Sequence, residues 1–86
     1  MKVFVSTHVH QYTGGKSSFE ASGATLAELM RDIDKKFPGL RFRIVDEQDK
    51  LRQHMNIFVN TERVKDLATA LKPGDEVLIL GSLSGG

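Results

Sequence analysis

The sequence predicts a two-layer α+β domain, one main helix packed on one face of a mixed sheet. Three observations carry that prediction. A capped amphipathic helix begins at Thr25, short β-branched and aromatic runs flank it, and 86 residues leave room for a single hydrophobic core. The elements run strand, strand, helix, strand, short strand, strand. One helix covers one face of such a sheet, so the other face needs a separate account.

Lys2–Ser6, KVFVS, is β-branched and aromatic and reads as the first strand. Tyr12–Lys16, YTGGK, is a turn whose paired glycines are free to take positive φ, and Ser17–Ala21 returns antiparallel, completing a hairpin. Gly23 breaks the pattern. Thr25 and Glu28 then form a Thr-x-x-Glu capping box, and Leu26, Leu29, Met30, Ile33 and Phe37 make one apolar stripe at helical spacing. Lys35 and Lys36 suit the negative end of the helix dipole, and Pro38-Gly39 stops the helix.

Leu40–His54 is polar and carries no clear period; Ile44, Val45 and Leu51 are its candidate anchors to the core. Met55–Asn60 is a strand, Thr61–Arg63 a turn, and Val64 starts a short strand. A Pro73-Gly74-Asp75 turn precedes the last strand, Glu76–Leu80. The division expected is a folded domain over residues 1–80 and a flexible tail over 81–86.

Composition narrows the function. Twelve basic residues against eleven acidic give a formal charge of +1, and the basic residues are scattered, so no nucleic-acid partner is expected. There is no cysteine, which excludes a disulfide framework, a thiolate metal site and a cysteine nucleophile. The opening Met1–Val5 runs into a strand without the apolar core of a signal peptide, and no apolar run reaches membrane-spanning length. A cytoplasmic protein without a membrane partner, monomeric when free, is expected.

No catalytic group stands out. Gly15-Lys16-Ser17 matches the end of a phosphate-binding loop, but His10 stands where the first glycine is needed and a strand pattern comes next instead of a helix. His8 and His10 alternate along a segment read as extended, and His54 lies apart, which is no zinc spacing. Asp32 and Asp34 are two apart on a helix and do not share a face. Asp46–Asp49 reads as a solvated loop. Neither a bound metal nor a bound cofactor is expected.

Two features remain. Strand alternation puts Val3, Val5, Ile57, Val59, Val77 and Ile79 on one face, and Phe4, Phe58, Leu78 and Leu80 on the other. If the first set meets the helix, the second is apolar on an open face. Either a partner docks there or the Leu40–His54 segment folds over it. The second feature is the ending Gly81–Gly86, GSLSGG, in which only Leu83 has a sizeable apolar side chain. It would be mobile when free, and Gly86 offers the least hindered carboxylate a chain can present. Ordering six residues costs about 6–12 kcal/mol, and burying four large apolar side chains returns roughly the same. Patch and tail thus fit one device, in which the patch docks and Ser84, Gly85 and Gly86 thread a narrow channel. The other reading is a terminus that simply frays.

With YTGG, HMNIFVN, LKPGDEV and the terminal Gly85-Gly86 in this order, the whole chain resembles the ubiquitin-like sulfur carriers. That family includes the molybdopterin synthase small subunit, the thiamin sulfur carrier and the carriers of a cysteine-synthesis pathway, and this chain is most similar to the last branch. The resemblance implies a β-grasp fold and a carrier that is not itself an enzyme. It implies a ubiquitin-activating-type adenylyltransferase/sulfurtransferase partner that uses ATP and Mg²⁺, and a second partner, a sulfur-accepting synthase. By the same resemblance Gly86 carries the adenylate and then the thiocarboxylate, and Phe4, Phe58, Leu78 and Leu80 dock the partners. The tail lacks the proline common in cysteine-pathway carriers, so molybdopterin, cysteine and specialised thio-metabolites all stay open as destinations. A protein modifier joined to lysines through Gly86 is the alternative.

Overall fold

The first and last predicted strands lie side by side. In the computed structural model, which describes residues 1–81, β1 (Lys2–Val5) and β5 (Glu76–Gly81) pair in parallel, Val3 opposite Val77 and Val5 opposite Ile79. β2 (Ser18–Glu20) forms a hairpin with β1. β3 (Met55–Val59) pairs antiparallel with β5, and β4 (Glu62–Val64) folds back on β3. The five-stranded sheet therefore runs β2-β1-β5-β3-β4, with β5 at its centre. β5 extends through Gly81, one residue past the expected Leu80. Ser84, Gly85 and Gly86 lie outside the described residues.

Helix α1 (Leu26–Lys36) crosses one face. Thr25 caps it, its Oγ1 accepting from the Glu28 N–H at 3.3 Å. The Glu28 carboxylate reaches back one residue further than the box requires and accepts from Ala24 N–H at 3.1 Å. Two of the N–H groups that a helix start leaves open, those of Leu26 and Ala27, donate to the carbonyls of Thr69 and Leu67. The loop before β5 is thereby fastened to the helix. Leu26, Leu29, Met30 and Ile33 are wholly buried, an upper contribution of about 6–12 kcal/mol at about 1.5–3 each. Phe37, the fifth stripe residue, is the C-cap and packs against Phe19 with ring centroids 4.7 Å apart.

Two segments differ from expectation. The polar stretch after Gly39 contains a second helix, α2 (Leu40–Ile44), entered through Gly39 at φ +95. Leu40, Ile44 and Val45 are wholly buried in the core formed with α1, on the helix side of the sheet. The intervening Arg41, Phe42 and Arg43 mask this five-residue helix in the sequence, because so short an element shows barely one apolar turn. The other difference is Thr7–Tyr12, a 3₁₀ helix rather than extended chain, with only Val9 buried. At three residues per turn His8 and His10 point apart, and His10 Nε2 turns back to the Val5 carbonyl at 3.2 Å.

The turns obey local chemistry. Gly14 and Gly15 take φ +68 and +89 in the loop before β2. The β3–β4 turn is Asn60-Thr61, with Val59 opposite Glu62, one residue earlier than expected because Asn60 adopts the left-handed φ of +59. Asp75 ties two turns together: Oδ1 accepts from Asn60 Nδ2 at 3.1 Å and Oδ2 from Lys72 N–H at 2.8 Å.

Gly23 is required by space. A Cβ there would stand 2.4 Å from the Leu29 backbone nitrogen, which a packed helix cannot vacate. Gly74, at φ +94, has open space around the same position. Gly23→Ala is expected to cost more than about 3 kcal/mol, the upper end of overpacking, against about 1–2 kcal/mol of left-handed strain for Gly74→Ala. Urea denaturation of the two variants measures the difference.

Asp32 gives a pH prediction. It accepts from Ser22 N–H at 2.9 Å and from Lys36 Nζ at 3.0 Å. The Ser22 bond, then Lys36, holds its carboxyl below the ordinary value. With the folded pKa depressed, the unfolded chain binds protons first. The stabilisation is therefore complete above about pH 4 and is lost as pH falls towards the folded value. Asp32→Asn should lower the melting temperature at neutral pH, and the gap to the parent should narrow as thermal melts are taken to lower pH.

Candidate functional site

The open face of the sheet carries one continuous row. Ser18, Phe4, Leu78, Phe58 and Arg63 stand opposite one another in turn across all the strands, so the three apolar members are contiguous. Leu80 lies in the next row, opposite Asn56. Phe4, Phe58, Leu78 and Leu80 are each half-buried, and none packs into the core. Leu40, Ile44 and Val45 pack on the far side of the sheet, so the segment after α1 does not fold over this face. Among the described residues the Leu40–Ile44 helix leaves this face uncovered.

Its rim is polar and ordered. The Lys2 ammonium stands 5.4 Å from the centre of the Phe4 ring, within cation–π range. Arg63 Nη2 donates to Asn56 Oδ1 at 2.7 Å. These groups frame the apolar row without covering it.

The root of the tail lies on the same strand, immediately beyond Leu80. Gly81 N–H donates to Ser6 Oγ at 2.9 Å, and Ser6 N–H donates to the Ile79 carbonyl at 3.0 Å. A Cβ at Gly81 would lie 3.1 Å from Met55 Sδ and 3.4 Å from His8 Cβ. The final described residue is thus held between β3 and the 3₁₀ helix. Ser6, His8 and Met55 were not legible as parts of the tail root; the one signal was the glycine itself, placed where a strand ends.

The remaining candidates have structural duties. Gly15-Lys16-Ser17 leads into β2, so no helix N-terminus faces it. Asp34 Oδ1 accepts from Gly39 N–H at 3.2 Å, while Asp32 binds Ser22 and Lys36. Asp46 accepts from the Gln48 and Lys50 N–H groups at 2.8 and 3.0 Å. The Lys50 bond, then the Gln48 bond, lowers its pKa. Asp49 pairs with Arg41. Among the described residues no three His, Cys, Asp or Glu side chains come together as metal ligands, and no helix is long and apolar enough to cross a membrane.

A mixed five-stranded sheet with one main helix across it and β5 at its centre, paired in parallel with β1, defines a ubiquitin-like β-grasp protein. The sequence model of the ThiS family matches residues 3–86, and the chain belongs to that family of sulfur carriers. It is 38% identical over 89 residues to the sulfur carrier protein CysO of Mycobacterium tuberculosis, covering 98% of this chain and 96% of that one. The crystal structure of M. tuberculosis CysO superposes with a TM-score of 0.89 at 37% identity, over 95% of this chain and 98% of the other. The Amycolatopsis orientalis BexX/CysO complex gives 0.90 at 36% identity, over 99% and 98%. Small archaeal modifier protein 1 of Methanosarcina acetivorans gives 0.81 at 26% identity, over 99% and 94%. The relatives named as carriers deliver sulfur rather than catalyse, and this chain is a carrier of that kind.

Neighbouring residues of β3 test the two faces. Ile57→Ala removes a wholly buried side chain and should cost about 2–5 kcal/mol. Phe58→Ala removes a larger, half-buried one and should cost only about 1–2 kcal/mol. Urea denaturation ranks them, and a larger cost at Phe58 would contradict an open face.

Proposed function

We propose that Gly86 is the sulfur-bearing residue. A ubiquitin-activating-type enzyme would use ATP and Mg²⁺ to join the Gly86 carboxylate to AMP, releasing pyrophosphate. A free carboxylate is a poor acyl electrophile, whereas the acyl-adenylate has a good leaving group. Hydrosulfide then attacks the acyl carbon and AMP departs, leaving a thiocarboxylate. With a persulfide donor, the same attack gives an acyl disulfide that a second thiol reduces. A sulfur-accepting synthase would take the loaded Gly86 into its active site.

One observation carries the reading. β5 holds both the apolar residues Leu78 and Leu80 and the root of the tail at Gly81, so docking the face aims the tail. Phe4 and Phe58 extend the docking row on either side, Gly85 permits close approach of a channel wall, and Ser84 adds little width. The complex of a CysO with BexX supports a synthase-type partner for this chain as well. Of the destinations the resemblance leaves open, similarity to CysO favours cysteine synthesis. Similarity to the Methanosarcina modifier supports a second reading, in which the activated Gly86 is passed to a lysine amine instead of to sulfur.

The intact mass of the protein from its native host, with the C-terminal peptide fragmented, is the test. A gain equal to exchange of one oxygen for sulfur, placed on Gly86, is expected, and deletion of Gly86 should abolish it. Gly86 found in an isopeptide bond to lysine would establish the modifier reading. An unchanged tail after supply of ATP, sulfide and the host's activating enzyme would overturn both.

A further inference from the structure

Beside the tail root, below the edge strand β4, a cleft of about 480 Å³ opens between the loop after α2 and the loop after β4. Four cationic residues line it, Lys50, Arg52, Arg63 and Lys65, against two acidic ones, Asp49 and Asp66. Asp49 is already paired with Arg41. The two arginines are held in place: Arg52 Nε donates to the Phe42 carbonyl at 2.6 Å and its guanidinium stacks 4.5 Å from the Phe42 ring, while Arg63 is fixed by Asn56. Each keeps further N–H donors for another acceptor. The Lys50 and Lys65 ammonium groups make no hydrogen bond or close ion pair among the described residues, and both are exposed, although the Asp46 carboxylate attracts Lys50 and Arg52 from nearby.

Charged side chains on an edge strand discourage unwanted strand pairing, which accounts for Arg63 and its near neighbour Lys65. It does not account for Lys50 and Arg52, which come from the loop before β3 and converge on the same cleft. Position supplies the missing reason. Met55 lines the cleft and also meets Gly81, so the cleft stands one side chain away from the last described residue of β5. An enzyme that swallows the tail must bring its surface against this spot.

We propose that the cleft is an electrostatic dock for an acidic segment, rich in Asp and Glu, at the mouth of the tail channel in the activating enzyme. The interleaved Asp49 and Asp66 disfavour a polyphosphate. No aromatic ring lines the cleft for a base to stack on, and an extended peptide can set its carboxylates between the two acids. The inference rests on the carrier reading above and adds a second, charged contact to the apolar row.

The test is the KM of the full chain in ATP–pyrophosphate exchange by the host's activating enzyme, at about 0.05 M and about 0.5 M salt, where screening differs several-fold in range. Lys50→Glu/Lys65→Glu should raise KM about ten-fold or more at low salt and less than about two-fold at high salt, with kcat unchanged. Lys50→Arg/Lys65→Arg should match the parent. Thermal melts confirm folding, and Lys50→Gln/Lys65→Gln, with a smaller shift in the same direction, replaces the reversal if that fails to fold. A KM equal to the parent's, or a loss that salt does not change, overturns the dock. So does saturable movement of the Lys50, Arg52, Arg63 and Lys65 amide resonances by millimolar inorganic phosphate together with an unaltered KM, which would make this a small-anion site. A parent chain that the enzyme never adenylates would instead overturn the carrier reading, so the two failures are distinct.

Discussion

The parallel ladder between β1 and β5 is the constraint on which the rest depends. It places the last strand at the centre of the sheet, between β1 and β3. A parallel pair needs a crossover, and nearly the whole chain serves as that crossover. The pairing also sets the parity of β5. With Val77 and Ile79 opposite Val3 and Val5, Leu78 and Leu80 can only face away from α1. A slip of one residue would bury Leu78 under the helix and expose Ile79, exchanging core for outer face.

This topology binds folding to the end of the chain. Residues 76–81 must be present before β1 and β3 have a common neighbour, so the sheet closes through contacts far apart in sequence. The helix start is likewise satisfied by the carbonyls of Leu67 and Thr69, late in the chain. Among the described residues the sheet runs to Gly81, the end of β5. Two kinds of contact divide the work: apolar burial against α1 and α2 supplies stability, and the carboxylates at Asp32, Asp34, Asp46 and Asp75 accept from backbone N–H groups where helix and turns would otherwise leave donors open.

The legible parts of the sequence were those with a period or a cap. Thr25, Glu28 and the stripe from Leu26 to Ile33 announce α1 through helical spacing, and strand alternation separates Phe4, Phe58, Leu78 and Leu80 from the core without any knowledge of the fold. α2 was hidden because five residues hold too few apolar positions to show a helical period, and two of the five are arginines. The 3₁₀ helix was hidden because its buried content is a single valine. The tail root was the least legible part. Ser6, His8, Met55 and Gly81 come from three distant segments, and only the pairing of β5 with both β1 and β3 brings them together.

A carrier meets its partners in succession and must leave each one, which argues against a single large sticky surface. The apolar row is small, since its core is Phe4, Leu78 and Phe58, and in the proposed docking role it would contribute attraction without direction. Direction comes from elsewhere. The Ser6–Gly81 bond fixes where the tail leaves the sheet, and a charged contact at that point would set register and speed encounter while adding little residence time. Separating attraction, register and chemistry among three places on one strand and its neighbours lets each be tuned alone. On the proposed reading the reacting group is a main-chain carboxylate, and the positioning that a side chain would otherwise supply falls to β5 and its neighbours.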